Sequence, residues 1–61
     1  MTFYKLYDYK TKQDVYLNPN MIAYYVYNDT YVEIYLLSQD YMCADKLDFM
    51  NMIFLDGGEE Y

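Results

Sequence analysis

Few residues of this chain could carry a reaction. Paired carboxylates can serve as acid and base, and the closest pair is Asp45 with Asp48. The same spacing suits a helix N-cap followed by an acid in the first turn, which is the simpler reading. Asp56, Glu59 and Glu60 could hold a hard cation such as calcium, but their spacing matches no defined calcium loop and reads as a solvated acidic tail. Cys43 is the single cysteine and there is no histidine. Triads, disulfides and the usual zinc sites therefore cannot be assembled from this chain alone. Cys43 lies in an apolar stretch with no base beside it and reads as a small buried hydrophobe. Two glycines in the whole chain leave no phosphate-cradling loop. The expectation is a protein that is not an enzyme, with no catalytic residue, cofactor or metal.

The unusual chemistry is phenolic. Eleven tyrosines among 61 residues are more than a domain of this size can bury. Tyrosine combines a large apolar ring, few rotatable bonds and a hydroxyl that tolerates water, which suits it to interfaces. Tyr25, Tyr27, Tyr31 and Tyr35, with Glu33 among them, are the expected protein-binding residues. The plainer reading makes them good strand formers in cross-strand pairs on a solvated face. Rings on a sheet can also stack nucleic-acid bases, but that use needs cations beside the rings, and here Glu33 stands in that place.

These residues must be positioned by short elements. Phe3–Tyr9 alternates and reads as a strand, with Tyr4, Leu6 and Asp8 on one side. Lys10–Gln13 is polar and marks the first turn. Asp14–Leu17 resumes as a strand with Val15 and Leu17 on one face. Asn18-Pro19-Asn20 is the clearest break, since proline cannot donate to a ladder and asparagine favours turns. Ile22–Tyr27 and Tyr31–Leu37 form a hairpin.

A three-residue loop, Asn28-Asp29-Thr30, would pair Tyr27 with Tyr31, Val26 with Val32, Tyr24 with Ile34 and Ile22 with Leu36. That register sorts aliphatic residues onto one face and tyrosines onto the other. A two-residue loop would place Val26 opposite Glu33 and mix the faces, so the three-residue loop is expected. Ser38-Gln39-Asp40 turns into a last strand, Tyr41–Cys43. Asp45 then caps a helix over Lys46–Leu55, in which Leu47, Met50, Ile53 and Phe54 recur at helical spacing and Phe49 and Met52 widen the apolar surface. Gly57-Gly58 ends it. The predicted fold is α+β: a small antiparallel meander of four to five strands followed by one C-terminal helix. Residues 1–56 form one domain, and 57–61 form a flexible acidic tail.

Charge and size bound the partners. Four lysines and arginines against ten acids give a formal charge of -6. A phosphate groove needs clustered cations, so direct nucleic-acid binding is not expected. The acidity reads as solubility or, more sharply, as attraction to a basic host protein such as a nucleic-acid-binding protein that the chain would block as a decoy. No run is long and apolar enough for a membrane-spanning helix. Lys5, Asp8, Lys10 and Lys12 interrupt any N-terminal signal core. A lone cysteine suits a reducing cytoplasm. Domains below ~70–80 residues commonly need a disulfide, a metal or an oligomer; with the first two missing, self-association is left. The Tyr-, Asn-, Asp-, Met- and Lys-leaning vocabulary points to a phage or other mobile element of an AT-rich bacterium.

Val15-Tyr16-Leu17-Asn18-Pro19-Asn20-Met21-Ile22, followed by Val32-x-Ile34-x-Leu36, Tyr41-Met42-Cys43 and an apolar helix, resembles the FlbD-like flagellar operon proteins, a family of very small bacterial proteins. The resemblance runs from Lys5 to Phe54 and rests mostly on hydrophobic alternation and one asparagine. It implies strands followed by a helix, no catalytic residues, and Met21 and Tyr25 turned inward. The chain departs from that family in its tyrosine load, in Asp45-Lys46 at the helix start, and in Ser38-Gln39-Asp40 where the family has an Asn-Gly turn.

Overall fold

The computed structural model describes residues 2–55. Five antiparallel strands precede one helix: β1 (Tyr4–Asp8), β2 (Gln13–Leu17), β3 (Ile22–Tyr27), β4 (Tyr31–Leu36), β5 (Tyr41–Asp45) and α1 (Lys46–Leu55). The α+β class and the order of elements are those read from the sequence. The strands divide into two sheets, β1-β2 and β3-β4-β5. A single 3-10 turn, Pro19–Met21, separates them, and the side chain of Asn18 caps it by accepting from the Asn20 N–H at 3.0 Å. Proline at the first position supplies the required φ and removes a donor that would have had no partner.

The side of β1 that carries Tyr4, Leu6 and Asp8, and the face of β2 that carries Val15 and Leu17, form the inner face of the first sheet. Leu6 and Leu17 are buried, Val15 is half-buried, and Asp8 is buried with them. The inner face of the second sheet carries Val32, Ile34, Met42 and Ala44. α1 lies against its own sheets and drives Phe49 and Met52 into this core, with Ile53 packed beside them. Asp45 caps it as expected, its Oδ2 accepting the Asp48 N–H at 3.1 Å. The inward stripe differs from the spacing rule, however. Leu47 and Phe54 are 69% and 61% exposed while Phe49 is fully buried. A helix apolar on several sides has no unique stripe in its sequence, so the sheet it meets selects the face. β5 also runs two residues past its expected end, because Ala44 is small enough to lie wholly inside under α1.

The hairpin is where the structure corrects the sequence. Tyr27 pairs with Val32, Val26 with Glu33, Tyr25 with Ile34 and Tyr24 with Tyr35; a bulge at Ala23 then restores Ile22 opposite Leu36. Asn28 N–H donates to the Tyr31 carbonyl at 2.8 Å, so the loop is the two residues Asp29-Thr30. Only the Ile22–Leu36 pairing of the expected register survives. Sorting by polarity failed because it treated tyrosine as an outward residue. The rings of Tyr25 and Tyr27 lie edge-on to Phe49, at centroid separations of 4.8 and 6.2 Å. Phenols thus cover the core rim, and Val26 is left on the open face beside Glu33.

Two turns use non-glycine residues at positive φ, Lys12 at 62° and Gln39 at 75°. Among the described residues no helix is long and apolar enough to cross a membrane. The expected helix end at Gly57-Gly58 and the tail at 57–61 lie outside the described residues.

Candidate functional site

The shifted register divides the five predicted contact residues between two faces. Tyr25 and Tyr27 lie on the helix side over Phe49, still 40% and 42% exposed. Tyr31, Glu33 and Tyr35 point the other way, as side chains two residues apart on one strand must. Tyr25 is turned inward as the family resemblance implied, whereas Met21 is 45% exposed.

On the outer face, cross-strand pairing lines up one ring from each strand. Tyr24 stacks on Tyr35 at 4.6 Å with planes 14° apart, and Tyr35 on Tyr41 at 5.6 Å and 26°. The Lys10 ammonium sits 3.9 Å above the far ring, Tyr41. This four-membered stack follows directly from the register Tyr24↔Tyr35↔Tyr41. Tyr24 and Tyr41 were not singled out in the sequence. The signal that could have found them was the rejected two-residue loop, which places Tyr24 opposite Tyr35.

Beside the stack opens a cleft of about 490 Å³, walled by Tyr31, Glu33, Tyr41, Cys43 and Asp45 of the sheet and by Tyr9 and Lys10 of the first turn. The Tyr35 hydroxyl donates to Glu33 Oε1 at 3.1 Å. That bond, with partial desolvation and the Glu33 charge, raises the Tyr35 phenol above its ordinary range. Cys43 is half-buried; burial first, then the Glu33 and Asp8 charges, push its thiol up, against a smaller opposing effect of Lys10. The thiol is therefore held protonated at neutral pH, the reverse of what a nucleophile needs. Burial and the adjoining Tyr25 hydroxyl likewise raise Tyr27. Asp45, the nearest to a catalytic carboxylate, spends one oxygen on the helix cap. Among the described residues no three metal-ligating side chains converge. The arrangement offers aromatic rings, phenol and threonine hydroxyls, and two carboxylates, Glu33 and Asp45.

One side of the cleft is fixed by Asp8, which is only 3% exposed. Its Oδ1 accepts the N–H groups of Lys10 (2.9 Å) and Cys43 (3.1 Å), and its Oδ2 accepts the Thr11 hydroxyl at 2.9 Å. Tyr9 N–H donates to the Cys43 carbonyl at 2.8 Å. The carboxylate thus joins the first sheet to the outer edge of β5. Burial alone would raise its pKa, but the bonds from Cys43, Thr11 and Lys10, and the Lys10 charge, outweigh that and leave it below the usual carboxylate value.

The far edge of the three-stranded sheet, β3, is exposed. Not one residue of β3, Ile-Ala-Tyr-Tyr-Val-Tyr, is buried. Compared with family models, with curated proteins and with solved structures, the chain matches none.

Proposed function

We propose that this chain is a small, non-catalytic protein–protein interaction module that self-associates, with the β3–β4 hairpin as its contact element. The observation that supports this reading is β3 itself. Six residues with no charge, three of them tyrosines, form a strand whose every side chain stays at least partly in water. Exposed semi-apolar surface gathered on one element is the usual mark of a contact site, and the Tyr24–Tyr35–Tyr41 stack enlarges it on the outer face. Sedimentation equilibrium across the micromolar range tests the reading. It expects masses that rise with concentration toward a multiple of 7.5 kDa, and a 7.5 kDa species at every concentration contradicts it.

A second reading, an acidic decoy that blocks a basic host protein in the cytoplasm, draws on the cleft. Glu33 and Asp45 flank tyrosine rings there, and Lys10 already shows one of those rings receiving a cation at 3.9 Å. Pull-down from a bacterial lysate distinguishes it: a basic protein retained less as salt rises supports it, and salt-insensitive or empty captures oppose it.

A further inference from the structure

The two-residue loop determines which backbone groups of β3 are spoken for. Asn28 N–H bonds to Tyr31, and antiparallel ladders alternate. The N–H and C=O groups of Val26 and Tyr24 therefore turn toward β4, and those of Tyr25 and Tyr27 turn to the open edge. We infer that this edge pairs with the β3 edge of a second copy, antiparallel, about a two-fold axis at Val26. Tyr25 and Tyr27 of each copy then exchange main-chain hydrogen bonds with Tyr27 and Tyr25 of the other. The inference rests on the self-association reading and gives it a geometry.

Of the four edge strands, β1 lies against β5, and the other three differ in how they are guarded. β2 carries Asp14 and runs into Asn18-Pro19. At its centre, β5 has both backbone groups of Cys43 occupied by Asp8 and Tyr9. β3 has neither a charge nor a proline, and such an edge is a template for another strand. Charge favours the same choice. On a chain of formal charge -6, close approach of two copies is opposed wherever carboxylates meet. Centring on Val26 sets Asn28 opposite Tyr24 and Asp29 opposite Ala23, so no two acids are apposed. The bulge at Ala23 ends the regular ladder, which makes Tyr25–Tyr27 the segment able to pair. Aromatic side chains present roughly 150–250 Å² each. At 40–58% exposure for Tyr24, Tyr25, Val26 and Tyr27, the side-chain area available is on the order of 300–400 Å² per copy. That falls in the class of small, transient interfaces, so a dimer that dissociates on dilution is expected.

The test uses Val26, whose side chain is 45% exposed and opposite Glu33. Val26→Lys gains an opposite-charge pair within its own hairpin but sets two lysines face to face across the two-fold. It should keep the far-ultraviolet spectrum and weaken dimerisation by about tenfold. In a Cys43→Ser background, Val26→Cys treated with diamide should give a covalent dimer. Two thiols lose their protons and two electrons to the diazene, forming one disulfide at a non-hydrogen-bonded pair. Tyr16→Cys on exposed β2, in the same background, should cross-link far more slowly. If the wild type dimerises but Val26→Lys does so equally, or Val26→Cys cross-links no faster than Tyr16→Cys, edge pairing is wrong and self-association stands. A wild type that is monomeric throughout overturns both.

Discussion

The two flanks of the β3-β4-β5 sheet solve the same problem in opposite ways. Both end in an outermost strand whose outward backbone groups β4 cannot pair. On the β5 flank a buried carboxylate, Asp8, reaches across from the first sheet and takes the Cys43 N–H, while Tyr9 takes the Cys43 carbonyl. On the β3 flank no described backbone group closes the ladder, and every side chain remains partly wet. One flank is finished by the chain itself and the other is open, and it is there that the proposed second copy would pair. Changes on the closed flank should therefore cost folding, and changes on the open flank should cost association.

The largest effect is expected where the two flanks meet. Phe49 is fully buried and supports the rings of Tyr25 and Tyr27. Phe49→Ala should destabilise by about 3–5 kcal/mol, read as a fall in thermal midpoint, and should also loosen the hairpin. A loss below about 1 kcal/mol would mean that the hairpin is not held through this ring. Asp8→Ala comes next. It strands the Cys43 N–H and removes charge-assisted bonds, at a cost of about 2–4 kcal/mol, measured by urea unfolding.

Acid titration sharpens the same point. The Asp8 pKa is depressed in the folded state, so its contribution is complete above the unfolded value near 3.9. It is lost as pH falls through the lower folded value. Between neutral pH and about 5 the difference in stability between wild type and Asp8→Asn should stay constant, and it should shrink below about pH 4. A difference that grows on acidification would contradict the assignment.

How much of this was legible in sequence depends on the kind of signal. Strand and helix order followed from alternation and punctuation, because Asn18-Pro19-Asn20 and Asp45 act locally. That Leu6 and Asp8 share a face, and Val15 and Leu17 likewise, was legible in the same way. The hairpin register was not, since the side-chain period of two makes one slip exchange whole faces. The choice rested on whether Tyr25 or Val26 belonged inside, and hydrophobicity ranks the aliphatic residue first. Packing of the rings against Phe49 decided otherwise, and Phe49 lies more than twenty residues away in the chain. The same slip assembled the Tyr24–Tyr35–Tyr41 stack and split the predicted patch. Alternation puts Asp8 on the side of Leu6, but the burial of its charge has no sign in the sequence, because its partner, the Cys43 N–H, is long-range.

Smaller effects separate local strain from interface. Gln39 holds a φ of 75°, which costs a residue with a Cβ but not glycine. Gln39→Gly should stabilise by up to about 1 kcal/mol, seen as a raised urea midpoint, without altering self-association. Smallest of all for folding is Val26→Lys, expected within about 0.5 kcal/mol of wild type although it should weaken the proposed dimer. If it unfolds the monomer instead, β3 is less open than its exposure indicates.

Amide hydrogen exchange at Tyr24, Tyr25, Val26 and Tyr27, followed from dilute to concentrated protein, tests the open flank most directly. Val26 and Tyr24 bond to β4 within one chain, so their protection should not depend on concentration. Tyr25 and Tyr27 should exchange rapidly when dilute and slow down together as concentration rises. Fast exchange at Tyr25 and Tyr27 at every concentration, or slow exchange already in dilute solution, would contradict a strand edge that is shared between copies.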